Sequence, residues 1–222
     1  MSFNVAVDGP AGAGKSTIAR AVAKLLNLIY VDTGAMYRAM ALYMLRSGVD
    51  PADAKAVIEK CAQADITIRY ESGEQVVFLN GANVNPYLRT EEVGNATSVI
   101  SVIPEVRKKM VELQHNLAAT NDCIMDGRDI GTCVLPDAQL KIYLTADSAV
   151  RAKRRYDELM AKGEYCDLEK IQADIEERDY RDMHRETSPL RQAEDAVLVD
   201  TSLMSVQEVI DCLVQLCLER MD

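Results

Sequence analysis

Eight residues, GPAGAGKS from Gly9 to Ser16, carry the clearest chemistry in the sequence. They fit G-x-x-x-x-G-K-[ST], a loop whose backbone N–H groups turn inward around phosphate oxygens. Gly9, Gly12 and Gly14 permit that turn, with Pro10, Ala11 and Ala13 between them. Lys15 would reach the β- and γ-phosphates and Ser16 would ligate Mg²⁺. Thr17 leads into a helix whose N-terminus adds partial positive charge. The strand-like FNVAVD ahead and the amphipathic run behind supply the strand–loop–helix frame that gives the match its meaning. The stretch reads as a nucleoside triphosphate site.

Such a loop does not say where the γ-phosphate goes. The guanine-reading N-K-x-D is absent, and a motor or nucleic-acid ATPase is usually larger and more basic. Transfer to a second molecule requires an acceptor site and cations to neutralise the moving charge. Arginine suits this, because its planar fork binds phosphate oxygens bidentately. Arg38 follows DTGAMY, and Arg128 sits in CIMDGRDIG between Asp126 and Asp129. Arg151, Arg154 and Arg155 are spaced i, i+3, i+4, and Arg178, Asp182 and Arg185 i, i+4, i+7, each set on one helix face. A solvated ion-paired face is the competing reading for these helical arginines, since ADIEERDYRDMHRE is rich in acids.

The elements that must position these residues follow from the pattern. Buried strands are expected at Phe3–Asp8, Leu28–Asp32, Cys123–Asp126, Leu140–Ala146 and Ala196–Asp200. Helices are expected at about Lys15–Leu26, from Thr33 to near Gly48, from Pro51, through Val93–Ala119, at about Ser148–Lys162 and Asp167–Arg185, and from a Ser205/Glu208 capping box. Buried strands alternating with helices imply a parallel sheet covered on both faces, with its ligand cleft at the carboxyl ends of the strands. Between them, ADITIRYESGEQVVFLNGANV alternates apolar and polar residues, with turns at Ser72-Gly73 and Asn80-Gly81. That is an antiparallel insert.

The 222 residues, 48% hydrophobic and 27% charged, are enough for one substantial core. A net charge of −10 argues against a nucleic-acid partner, though local arginines can still build a positive pocket. No apolar run is long enough for a membrane span, and the N-terminal stretch lacks signal-peptide features. Six scattered cysteines without a C-x-x-C pair point to free thiols in a reducing cytoplasm. Cys133 is expected in the core, and His115 and His184 on helix surfaces. The acidic, well-charged helices favour a monomer.

From Val5 to nearly the C-terminus the chain resembles the bacterial cytidylate kinase family. The resemblance rests on DGPAGAGKST, VDTGAMYRA, LRTEEVGNATSVIS, VRKKMVELQ, DGRDIGTCVLPDA, RAKRRYDEL and ERDYRDMHRETSPL, in that order. It implies a P-loop nucleoside-monophosphate kinase fold over 1–222: an α/β core of about five parallel strands, a small antiparallel acceptor-binding insert at about 64–88 and a helical lid at about 151–166. It implies ATP with Mg²⁺ as phosphoryl donor and CMP and dCMP as acceptors. Thr33 and Tyr37 would line the acceptor site, although serine would equally fit the pattern at 33. Arg38, Arg128 and Arg185 would hold the acceptor phosphate. Ser98, Arg107 and Asp129 would read cytosine, and Arg178 and Asp182 the sugar hydroxyls. Lys15, Arg128, Arg154 and Arg185 form the expected catalytic set, with Arg151 or Arg155 as further lid arginines. Asp126 would lie at the acceptor side of the cleft, serving the metal or holding arginines, and Asp32 is an alternative helper for Mg²⁺. A kinase for UMP, AMP or an alcohol, or a non-catalytic nucleotide sensor, remains open at this stage.

Overall fold

The computed structural model describes residues 2–71 and 73–221. Five strands, β1 (Asn4–Asp8), β2 (Ile29–Asp32), β6 (Cys123–Asp126), β7 (Leu140–Thr145) and β8 (Val197–Asp200), form one parallel sheet in the order β2-β6-β1-β7-β8. Their interior residues are nearly all apolar, as strands buried on both faces must be. Side-chain alternation sorts them: Val5, Val7 and Ile124 face one core with Ile18, Val22 and Leu213, while Ala6, Cys123 and Met125 face the other with Met36, Met40 and Met110. The first core lies under α1 (Lys15–Leu26) and α8 (Val206–Met221); the second lies under α2 (Thr33–Arg46), α4 (Glu91–Ile100) and α5 (Pro104–Thr120).

The insert is a three-stranded antiparallel sheet, β3 (Ile66–Glu71), β4 (Glu74–Leu79) and β5 (Ala82–Asn83). Asn80 and Gly81, with φ of 50° and 80°, make the tight turn their types favour. At the other turn Gly73 is left-handed, and Ser72 lies outside the described residues.

Three local expectations are corrected. The third helix, α3, covers Ala54–Cys61 rather than opening at Pro51, because Asp53 caps it by accepting the Ala56 N–H at 3.1 Å. The helical run expected through Val93–Ala119 divides into α4 and α5, because Pro104 holds Ile103 in extended backbone. Cys133 is exposed. Ile130–Val134 coil as one wide turn that sends Ile130 and Val134 inward and Cys133 outward. The capping box at α8 forms as expected: Glu208 Oε2 accepts the Ser205 N–H at 2.8 Å, and Ser205 Oγ accepts the Glu208 N–H at 3.3 Å. His115 and His184 are exposed on α5 and on α7 (Leu168–His184).

Candidate active site

Parallel pairing sets the carboxyl ends of β2, β6 and β1 side by side, with Asp32 opposite Asp126 and Val7 opposite Asp126. Three aspartates, Asp8, Asp32 and Asp126, therefore end adjacent strands, and all three are buried.

The phosphate loop leaves β1 through Gly9, where any Cβ would stand 2.0 Å from the Leu144 carbonyl oxygen. Only glycine allows the loop to cross β7 that closely. Gly14, left-handed at φ 85°, starts α1. Lys15 Nζ is buried and donates to the Gly9 and Pro10 carbonyls at 2.7 and 2.8 Å. Burial, with the Arg128 charge adding to it, drives its pKa well below the ordinary lysine value. Ser16 Oγ donates to Asp126 Oδ2 at 2.8 Å, and Tyr30 Oη donates to Asp126 Oδ1 at 2.9 Å. Burial raises the Asp126 pKa, reinforced by neighbouring Asp32 and opposed by Lys15.

Asp8 is the last residue of β1, immediately before the loop. Its carboxylate accepts the Ile130 and Gly131 N–H groups at 2.8 and 2.7 Å, tying β1 to the segment after β6. Burial pushes its pKa up to about 6 against the pull of those two bonds.

Beside the ends of β2 and β6, Thr33 Oγ1 donates to the Asp126 carbonyl at 2.7 Å. Arg128 Nε donates to Asp182 Oδ2 at 2.8 Å. Asp129 lies between two arginines: Arg107 Nη2 donates to its Oδ2, and Arg185 Nη2 reaches its Oδ1 at 3.2 Å. The Arg107 guanidinium also lies 6.0 Å from the Tyr37 ring centre. Ser98, Arg178, Asp182 and Arg185 line one small pocket, so the i, i+4, i+7 face of α7 does converge. Burial, then the Arg128 charge, lowers the Arg178 pKa. Arg38 Nη1 is 3.9 Å from Asp32 Oδ1, on the wall of a cavity of about 460 Å³ that Ser16 and Thr17 also line.

The arginines of α6 (Ser148–Ala161) do not act together in this conformation. Arg151 is buried, donating to the Ala11 carbonyl at 2.7 Å and to Asp179 Oδ2 at 2.6 Å. Asp179 Oδ1 in turn accepts the Ala11 N–H at 2.9 Å. Arg154 holds Thr201, 3.1 Å to Oγ1 and 2.7 Å to the carbonyl, and Arg155 pairs with exposed Glu158. Spacing alone did not reveal that Arg151 faces the loop from outside.

Sequence reasoning placed Asp8 at the cleft, at a strand's carboxyl end, but missed Tyr30, Arg89 and Asp179. Asp179 carried a faint signal, as an acid inside the arginine-rich ERDYRD. Arg89, 3.4 Å from Asp32 Oδ2, carried none.

Among the described residues, no cluster of three or more His, Cys, Asp or Glu side chains forms a metal cage. The oxygen pair of Ser16 and Asp126 suits a hard cation that brings phosphate and water as its remaining ligands.

A family model described as cytidylate kinase matches residues 5–219. The cytidylate kinase of Lactobacillus gasseri is 50% identical over 208 residues, covering 94% of this chain and 90% of that protein. That of Caldicellulosiruptor bescii is 47% identical over 214 residues, covering 96% and 95%. That of Streptococcus pneumoniae is 47% identical over 211 residues, covering 95% of each. Among solved structures, TT1252 from Thermus thermophilus superposes with a TM-score of 0.51 at 14% identity, covering 100% of this chain and 98% of that one. At that identity the likeness is one of fold.

Proposed function

The chain belongs to the cytidylate kinase family, and we propose that the cleft between the phosphate loop and the Asp129 wall is where its reaction occurs. The protein transfers the γ-phosphoryl group of ATP to CMP and dCMP, giving CDP and dCDP. The observation that carries the site assignment is the position of Asp129 between Arg107 and Arg185, on the segment that also carries Arg128.

Cytosine presents an amine donor beside acceptors at N3 and O2. A carboxylate and a guanidinium held together match that edge, with Ser98 as the third reader. Uracil would place a carbonyl against Asp129 and leave the buried pair mismatched, at a cost of ~1–3 kcal/mol. Arg38, Arg128 and Arg185 bind the acceptor phosphate, Thr33 and Tyr37 line its pocket, and Arg178 and Asp182 hold the sugar hydroxyls.

The acceptor phosphate oxygen is already nucleophilic, so catalysis is positioning plus charge stabilisation and needs no general base. The loop amides and Lys15 hold the donor phosphates, and Lys15 with Arg128 meets the charge that spreads over the transferring group. Ser16 and Asp126 would hold Mg²⁺, which neutralises phosphate charge when bound. Residues 151–166 are read as the lid, and Arg154 would reach the ATP phosphates after leaving Thr201. The acidic, well-charged helices, net charge −10, support a monomer as the working unit. Six free thiols support a reducing compartment such as the cytoplasm. Among the described residues no helix is long and apolar enough to cross a membrane.

A coupled ADP-release assay over CMP, dCMP, UMP, AMP, GMP and dTMP tests the assignment. Turnover is expected to be highest with the cytosine nucleotides; equal rates across the panel would sink it.

A further inference from the structure

The insert does more than enlarge the acceptor side; it reaches back to the sheet. Strand β2 is an edge strand, so the N–H and C=O groups of alternate residues on its free side lack a strand partner. Side chains from the insert meet them. Gln75 on β4 accepts the Asp32 N–H through Oε1 at 2.8 Å and donates through Nε2 to the Asp32 carbonyl at 3.2 Å. One amide thus satisfies both backbone groups of Asp32, as one residue of a neighbouring strand would. Two residues back, Tyr70 Oη donates to the Tyr30 carbonyl at 3.1 Å.

Asp32 is where this grip matters. Its Oδ1 caps α2 by accepting the Ala35 N–H at 2.9 Å and stands 3.9 Å from Arg38 Nη1. Its Oδ2 stands 3.4 Å from Arg89 Nη2. The Asp32 carboxylate is therefore the point at which two arginines on separate segments are drawn together. Its direction depends on a backbone that Gln75 fixes from the insert side.

We propose that Gln75 is a positioning residue for acceptor binding: its amide clamps the Asp32 backbone, and through the Asp32 carboxylate it sets Arg38 and Arg89 toward the acceptor phosphate. This rests on the assignment of Arg38 to that phosphate. Both polar atoms of the Gln75 amide are engaged with the Asp32 backbone. It acts through Asp32, so its loss weakens the hold on CMP while leaving the ATP side intact. Gln75→Leu keeps the size and removes both hydrogen bonds. Gln75→Glu keeps an acceptor for the Asp32 N–H but loses the donor and adds a negative charge beside Asp32. Tyr70→Phe loosens the same strand edge without touching Asp32.

The test is steady-state kinetics on the full chain, with CMP affinity by calorimetric titration and thermal melting alongside. Gln75→Leu is expected to raise the KM and Kd for CMP roughly tenfold, the scale of one to two lost hydrogen bonds. KM for ATP and the melting temperature stay near wild type. Gln75→Glu raises KM for CMP as well, and Tyr70→Phe leaves it within about twofold. An unchanged KM for CMP in Gln75→Leu overturns the proposal. So does an equal rise for CMP and ATP accompanied by a fall in melting temperature, which marks a purely structural clamp. Arg38→Ala separates the two layers: if it leaves KM for CMP unchanged, the assignment of Arg38 fails; if it raises KM while Gln75→Leu does not, only the clamp fails.

Discussion

Arg151 and Asp179 meet as a buried ion pair, Nη1 to Oδ2 at 2.6 Å, with side-chain exposures of 7% and 9%. Between them they take both backbone groups of Ala11, so α6 and α7 grip the phosphate loop from outside. Removing one partner leaves a buried, uncompensated charge. Asp179→Ala is therefore expected to lower unfolding free energy by ~3–5 kcal/mol. In a chain of this size that is a melting shift of roughly 10 °C. Chemical denaturation checks it, and a loss below ~1 kcal/mol would contradict the pair's structural role.

Asp129 is expected to decide base choice. Asp129→Ala leaves buried Arg107 without its carboxylate partner and, on the proposed reading, removes the acceptor for the cytosine amine. The ratio of kcat/KM for CMP over UMP is expected to fall roughly tenfold or more, with KM for ATP within about twofold of wild type. Competition between the two nucleotides in one reaction measures that ratio directly. Unchanged selectivity refutes the base-reading role.

The parallel sheet was legible because its strands are short apolar runs between helical periods, and the insert because Asn80-Gly81 has one good use. The convergence of Arg178, Asp182 and Arg185 was legible too, since helical spacing alone puts them on one face. Helix limits at Pro51 and Pro104 were not, because a proline fits either the first turn of a helix or the segment before it. Arg151 shows the deeper limit: i, i+3, i+4 spacing says which residues share a face, not what that face meets. The bonds of Gln75 and Asp8 gave no local sign, because their partners at Asp32, Ile130 and Gly131 are backbone groups far along the chain.

Asp8 predicts a pH dependence of stability. Its carboxyl is 5% exposed, and its pKa lies near 6 in the folded protein against 3.8 for the free group. Between those values the folded state binds more protons than the unfolded state. The stabilisation from Asp8 is thus full below about pH 3.8 and is lost as pH rises through about 6. The difference corresponds to ~3 kcal/mol. Asp8→Asn cannot titrate, so wild type is expected to lose about that much relative to the variant between pH 4 and pH 6.5, whatever constant offset the substitution adds. Parallel denaturation curves for the two proteins across that range would exclude the raised pKa.

Lys15 separates catalysis from folding. Its ammonium is buried against two carbonyls of its own loop, and its lowered pKa means that folding works against the charged form. A residue held there for stability alone would gain by losing the charge. Lys15→Ala is expected to leave the melting temperature within a few degrees of wild type, and Lys15→Met, which keeps the aliphatic stem, closer still. On the proposed reading the same charge would meet the donor phosphates in a water-poor site, where one preorganised donor is worth about 10²–10³-fold in rate. Both variants are therefore expected to lose kcat on that scale, with the KM for CMP little changed, since the proposal assigns Lys15 to the donor phosphates. Retained turnover in a folded Lys15→Met would remove the phosphate loop from the mechanism, and a collapse of folding with the charge gone would make Lys15 a structural residue.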